Sequence, residues 1–364
     1  MRTPSVTRRL KGGLLVAMLL GACRGEETER ALGSLTPLGD MRIRRSQHTA
    51  TLLLDGRVLI AGGGTPEQAQ RRVELYDPST GVSVDGPDLL QPRAGHTATL
   101  LGDGRVLIVG GLGGVNSAEL YEAGGGTFRL LTPPVRPRSD HAAVLLSSGK
   151  VLILGGDVSG VGASPTASAE LFDPETEQFQ EIEPMLTPRR PYGVITLPDG
   201  RLLIAGGTTT GKVVTAAAEI YDPSLERFEA VSTLATPREK HASARLPDGR
   251  ILVLGGNRDP DDDGLNSTEI FDPSSARFLP GPDLFQGRYK FSALGLSDGS
   301  ALAVGGAHVL AERLDRGLLR SLPVDDEEAQ RFFPALTPLD GGQVLITGGY
   351  TVGGSTASVW RFAP

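Results

Sequence analysis

Seven glycine doublets punctuate the chain, beginning at Gly62, Gly110, Gly155, Gly206, Gly255, Gly305 and Gly348. Their spacings are 48, 45, 51, 49, 50 and 43 residues. A period near fifty means one supersecondary unit used again and again. Such a unit cannot bury its apolar face alone and must stack on its neighbours. The chain has 364 residues, enough for one large repeat domain. Its 49 glycines and 26 prolines predict many turns and few helices.

The fifth unit shows the pattern. Arg238–Leu246 reads as a first strand, and Pro247-Asp248-Gly249 as a tight turn. Ile251-Leu252-Val253-Leu254 is apolar without alternation, which suits a strand buried on both faces. Gly255-Gly256 ends it where neighbouring chains would come close. A variable loop precedes a third strand, Thr268-Glu269-Ile270-Phe271, and a fourth strand carries Phe278 at the outer edge. Equivalent turns stand at Leu54-Asp55-Gly56, Gly102-Asp103-Gly104, Pro198-Asp199-Gly200 and Ser297-Asp298-Gly299.

Paired glycines after an apolar run, at this period, resemble the kelch repeat. The resemblance covers residues 32–364 and implies an all-β fold, a seven-bladed β-propeller of four-stranded blades. The likeness is to the central propeller of galactose oxidase, without its copper site: that family needs a cysteine cross-linked to tyrosine, and the propeller here has none. The seventh unit lacks a fourth strand, because the chain stops at Pro364 soon after its third strand, Ser358–Phe362. Leu35, Leu38 and Met41 stand 10, 7 and 4 residues before Arg45, as Phe228, Val231 and Leu234 stand before Arg238. The N-terminal segment is therefore expected to supply the missing strand and remove an exposed edge.

Residues 1–22 read as a secretory signal: basic Arg2, Arg8, Arg9 and Lys11, a short apolar run, then small residues. Leu20-Gly21-Ala22-Cys23 resembles the lipobox of bacterial lipoproteins, in which the cysteine becomes an acylated N-terminus. This implies lipidation at Cys23, a polar tether over 23–31 and a place outside the cytoplasm. With Arg24 rather than aspartate next, the family pattern points to the outer membrane or cell surface of a host that has one. Cys23 is the chain's one cysteine, so no internal disulfide can form. Removing the signal leaves 32 basic against 43 acidic residues, a balance of −11. Such a chain is a poor match for nucleic acid or for anionic lipid. The anchor is the expected membrane contact, and the chain is expected to be a monomer.

Arginine stands 17 residues before every doublet: Arg45, Arg93, Arg138, Arg189, Arg238, Arg288 and Arg331. Glutamate recurs on the third strand at Glu74, Glu119, Glu170, Glu219, Glu269 and Glu312, with Ser358 in the seventh unit. Two readings compete: an ion pair stitching each blade, or a ring of positive charge at a channel mouth. Sevenfold regularity favours the first. Fourteen residues before the doublets stand His48, His96, His141, Tyr192, His241, Phe291 and Pro334. One histidine per blade, replaced by aromatics elsewhere, argues for packing rather than a metal.

Departures from symmetry are the better guide to function. Tyr289, Phe291, Phe332, Phe333 and Tyr350 gather in units six and seven beside Arg288 and Arg331. This set would suit a peptide or a sugar, with closing-blade packing as the competing account. Asp259, Asp261 and Asp263 resemble a D-x-D-x-D-G calcium loop. Ser267 and Ile270 replace the later acid, which favours a solvated loop. No cofactor is expected beyond that candidate structural calcium.

No G-x-S-x-G elbow or H-E-x-x-H motif occurs. The reading is a non-enzymatic module binding a protein or peptide partner through one propeller face. The alternative is a carbohydrate binder or sugar isomerase, since one kelch family isomerises sialic acid with channel-mouth arginine and glutamate. Loops after the doublets, from residues 64, 112, 157, 208, 257, 307 and 350, differ in chemistry, as a recognition surface would.

Overall fold

The computed structural model describes residues 33–65, 68–112, 116–158, 164–259, 262–307, 310–315, 318–322 and 331–364. Cys23, Asp261 and the signal lie outside them. Residues 32–364 form one compact unit, described here. Among the described residues, no helix is long and apolar enough to cross a membrane.

The unit is a ring of seven four-stranded antiparallel blades. Blade five runs Ala242–Arg245, Ile251–Leu254, Thr268–Asp272 and Arg277–Pro280, each strand paired with the next. The first strand is shorter than the expected Arg238–Leu246. Lys240 turns the chain at φ 51° before the ladder begins. Equivalent left-handed turns occur at Gln47, Gly95, Asp140, Lys290 and Phe333.

The second strands show why their sequence does not alternate. Val58–Ala61 is wholly buried. Leu59 and Ala61 pack with Val106 and Ile108 of blade two, while Val58 and Ile60 pack with Leu345 and Val359 of blade seven. Each strand thus feeds two interfaces, one per face. Seven apolar clusters follow, one between each pair of adjacent blades. In blades two to five, an aromatic pair clamps the outer strands, such as Tyr121–Phe128 at 5.1 Å and Tyr221–Phe228 at 4.8 Å.

The ring closes at the termini, as expected. Ser34–Pro37 pairs antiparallel with Val359–Ala363, with Leu35 opposite Phe362. Met41 is buried in the cluster joining blades seven and one. The first strands neighbour one another around the full circle, including blade seven against blade one, and surround the central axis.

The first glycine of each doublet is the seat of the next blade. A Cβ on Gly155 would lie 2.6 Å from the Arg189 carbonyl oxygen and 2.9 Å from Pro191 Cδ, and its φ is +64°. Gly155→Ala therefore combines left-handed strain with a backbone clash. It should cost about 2–4 kcal/mol, read as a lower urea midpoint. Gly124→Ala, where a Cβ meets nothing within 4 Å, should stay near wild type.

Candidate ligand-binding mouth

The repeat arginines are frame. All seven are buried, between 0% and 1% exposed. Arg138 Nη1 donates to the Gly155 carbonyl at 2.9 Å, and Nη2 donates to Glu170 at 2.5 Å. Arg45, Arg93, Arg189, Arg238 and Arg288 repeat the carbonyl and glutamate contacts. Arg331, with Ser358 at the repeat's glutamate position, donates to the Gly348 carbonyl and Ser358 Oγ. Each glutamate also accepts two backbone N–H groups from the segment leading into its blade, as Glu170 does from Val135 and Arg136. The ring of arginine charge around a mouth is thereby corrected: these side chains lie inside the blades. Arg288 and Arg331 leave the set of ligand-binding candidates for the same reason.

The histidines are also interior. His96 Nε2 meets Thr49 Oγ1 of the preceding blade at 3.1 Å, and His141 Nε2 meets Thr97 Oγ1 at 2.9 Å. His48 bridges to Thr347 across the closure at 2.9 Å. Burial, reinforced by the neighbouring arginines, pulls His48, His96, His141 and His241 down to about 3. Phe291 takes the same seat in blade six, buried against Gly255. It therefore belongs to the packing and not to a binding surface.

The remaining aromatics do come together. Phe332 and Tyr350 pair through their backbones, at 2.8 and 2.7 Å. Tyr289 and Phe332 stack tilted at 5.3 Å between centroids. Lys290 Nζ lies over Tyr289, Phe332 and Phe333 at 5.4, 5.9 and 5.5 Å. All four rings are half-buried and surround the starts of the first strands in blades six and seven. There the Lys290 N–H donates to the Lys240 carbonyl and the Phe333 N–H to the Lys290 carbonyl, at 3.0 and 2.7 Å. These bonds link successive blades at the channel mouth.

The same mouth holds a charged sector that the sequence reading missed. Arg190 grips Asp157 through two nitrogens, the closer at 2.5 Å. Glu239 accepts from Thr208 and pairs with Lys240 at 2.6 Å. Asp140 has no hydrogen-bond or ion-pair partner among the described residues, and burial raises its carboxyl above the ordinary range. Arg190 and Lys240 oppose that rise and Asp157 adds to it. Burial likewise lifts the Tyr192 hydroxyl, and lowers the Lys290 ammonium with Lys240 assisting. The missed signal was positional. The first two residues after each repeat arginine are Ser46-Gln47 and Ala94-Gly95 in blades one and two, but Ser139-Asp140, Glu239-Lys240 and Tyr289-Lys290 in blades three, five and six.

Of the calcium candidates, Asp259 and Asp263 are exposed, and Asp261 lies outside the described residues. Arg258 approaches Asp262 of this loop at 3.5 Å.

A family model for the Kelch motif matches residues 137–186, which hold blade three from Arg138 through its fourth strand. The chain is a seven-bladed β-propeller in which one blade matches the kelch model. No curated protein matches it by sequence. Among solved structures, this propeller is similar to a fungal alcohol oxidase of the AA5 family in complex with copper. The TM-score is 0.73 at 15% identity, covering 92% of this chain and 76% of the other. At that identity the likeness speaks for the fold alone. The donor set here does not fit a copper centre: the four described propeller histidines occupy separate interblade seats. Among the described residues no three His, Cys, Asp or Glu side chains converge.

Proposed function

We propose that this kelch propeller is a non-enzymatic binding module, carried outside the cytoplasm on a lipid at Cys23, that takes a protein or peptide segment at the mouth where the first strands begin. The observation that carries the reading is the Lys290 ammonium lying over three half-buried rings, at the same mouth as the Asp140 carboxyl. Aromatic anchors next to a fixed charge are what a peptide hot spot requires. Asp140 and the chain's acidic balance favour a segment with a basic residue flanked by an apolar one.

The test is fluorescence anisotropy with synthetic peptides in which charge and aromatic content are varied separately. Lys- or Arg-containing peptides with an adjacent aromatic should bind. Phe332→Ala and Asp140→Asn should each weaken them at least tenfold while the melting temperature changes little. Binding by a glycan at this mouth, with no peptide bound, would overturn the peptide reading in favour of a lectin. For the anchor, labelled palmitate should enter the wild-type chain in a bacterial host and not Cys23→Ala. Labelling of both would remove the lipoprotein reading.

A further inference from the structure

The opposite mouth carries a second site, independent of the aromatic one. The first strands all end there, and neighbouring ends touch. A Cβ on Gly295 of blade six would lie only 2.0 Å from the Arg245 carbonyl oxygen of blade five. Between the ends of blades five, six and seven opens a cleft of about 630 Å³, lined by Ile195, Arg245, Leu294, Gly295, Ser297 and Gln343 among others. That volume falls within the range of small-molecule sites, from about 300 to 1,000 Å³.

The last position of the first strand is uncharged in six blades: Leu52, Leu100, Leu145, Thr196, Gly295 and Pro338. Blade five alone places a cation there, Arg245, and its side chain is exposed. No carboxylate among the described residues pairs with it. The turn acids of blades four, five and six at this same mouth are each held by an arginine of their own blade, while the blade-seven turn carries Asp340. Asp199 is held by Arg201 at 2.8 Å, Asp248 by Arg250 at 2.7 Å, and Asp298 by Arg313. Gly295 lets the blade-six strand end pack directly on the Arg245 backbone. Arg245 thus joins the lining of the cleft with an exposed side chain, together with Leu294, Ile195 and other apolar residues.

We infer that this cleft binds a small amphipathic carboxylate, whose head pairs with Arg245 and whose apolar body lies along Leu294 and Ile195. One arginine with five forked donors matches one carboxylate. A phosphate or a multiply charged anion would leave charge facing the apolar wall. Ser297 and Gln343 supply the remaining polar contacts at the rim.

The test is calorimetric titration of the whole chain with octanoate, octanol and octylamine, which share a body and differ in head. Octanoate should bind one per chain, at least tenfold tighter than octanol, and octylamine should not bind. Arg245→Gln should lower octanoate affinity at least tenfold and leave octanol unchanged, while Arg245→Lys should retain part of it. Arg57→Gln, whose arginine is held by Asp55 in the corresponding turn of blade one, should bind as wild type. No saturable octanoate binding, equal affinity in Arg245→Gln, or equal binding of octylamine would each overturn the assignment.

Discussion

Lowering the pH from 7.5 to 5.5 should reduce the unfolding free energy by about 5 kcal/mol through four histidines. His48, His96, His141 and His241 are held neutral between blades, with folded values near 3. An unfolded histidine takes up a proton near pH 6.5. The unfolded state therefore binds more protons throughout the window between about 6.5 and 3. Stability is full above that window and falls as pH falls through it, by about 1.4 kcal/mol per unit per histidine. Asp140 acts in the opposite sense, because its folded value is raised, and offsets a small part of the loss. The turn aspartates, such as Asp55 and Asp103, have lowered values and act only below the ordinary aspartate range. Urea denaturation at pH 7.5, 6.5 and 5.5 measures the slope. His241→Phe copies Phe291 of blade six and should remove about a quarter of it. A stability that stays flat across this range would mean the histidines are not sealed between blades.

The second large effect lies in the arginine frame. Glu170→Ala would strip Arg138 of its carboxylate and leave the Val135 and Arg136 amides without an acceptor. Both members of the pair are fully buried. Removing one partner of a buried pair costs about 3–5 kcal/mol, because the other charge remains without compensation. Replacing both, as Arg138→Met with Glu170→Leu, should cost less than the sum of the single changes. Chemical denaturation of the three variants closes the cycle. A single Glu170→Ala variant with wild-type stability would show that water or a neighbouring group reaches Arg138.

Much of the fold was readable along the chain. The seven doublets counted the blades, and the unbroken apolar runs marked the strands that serve two interfaces. Leu35, Leu38 and Met41, matching Phe228, Val231 and Leu234, located the closing strand. The arginines and glutamates were legible as a repeating pair, but their depth was not. The candidate site was legible only in part. Tyr289, Phe332, Phe333 and Tyr350 were picked out by their departure from symmetry, and they do share one mouth. Phe291, Arg288 and Arg331 were drawn in by proximity in sequence, and each points into the blades. Asp140, Arg190, Glu239 and Lys240 were passed over because each looks unremarkable within its own repeat.

The division has a physical cause. Strand alternation, turn chemistry and glycine backbone freedom act within a single repeat, so the sequence by itself determined the blade, the number of blades and the seam. A mouth is made by the ring. Residues about fifty positions apart become neighbours only when adjacent blades stack, and whether a side chain faces the axis or the blade interior depends on that stacking. Tertiary structure alone therefore decided that the arginine ring is buried frame. It set Lys290 upon three rings at the mouth that also holds Asp140, and it left Arg245 exposed at the far end of the channel.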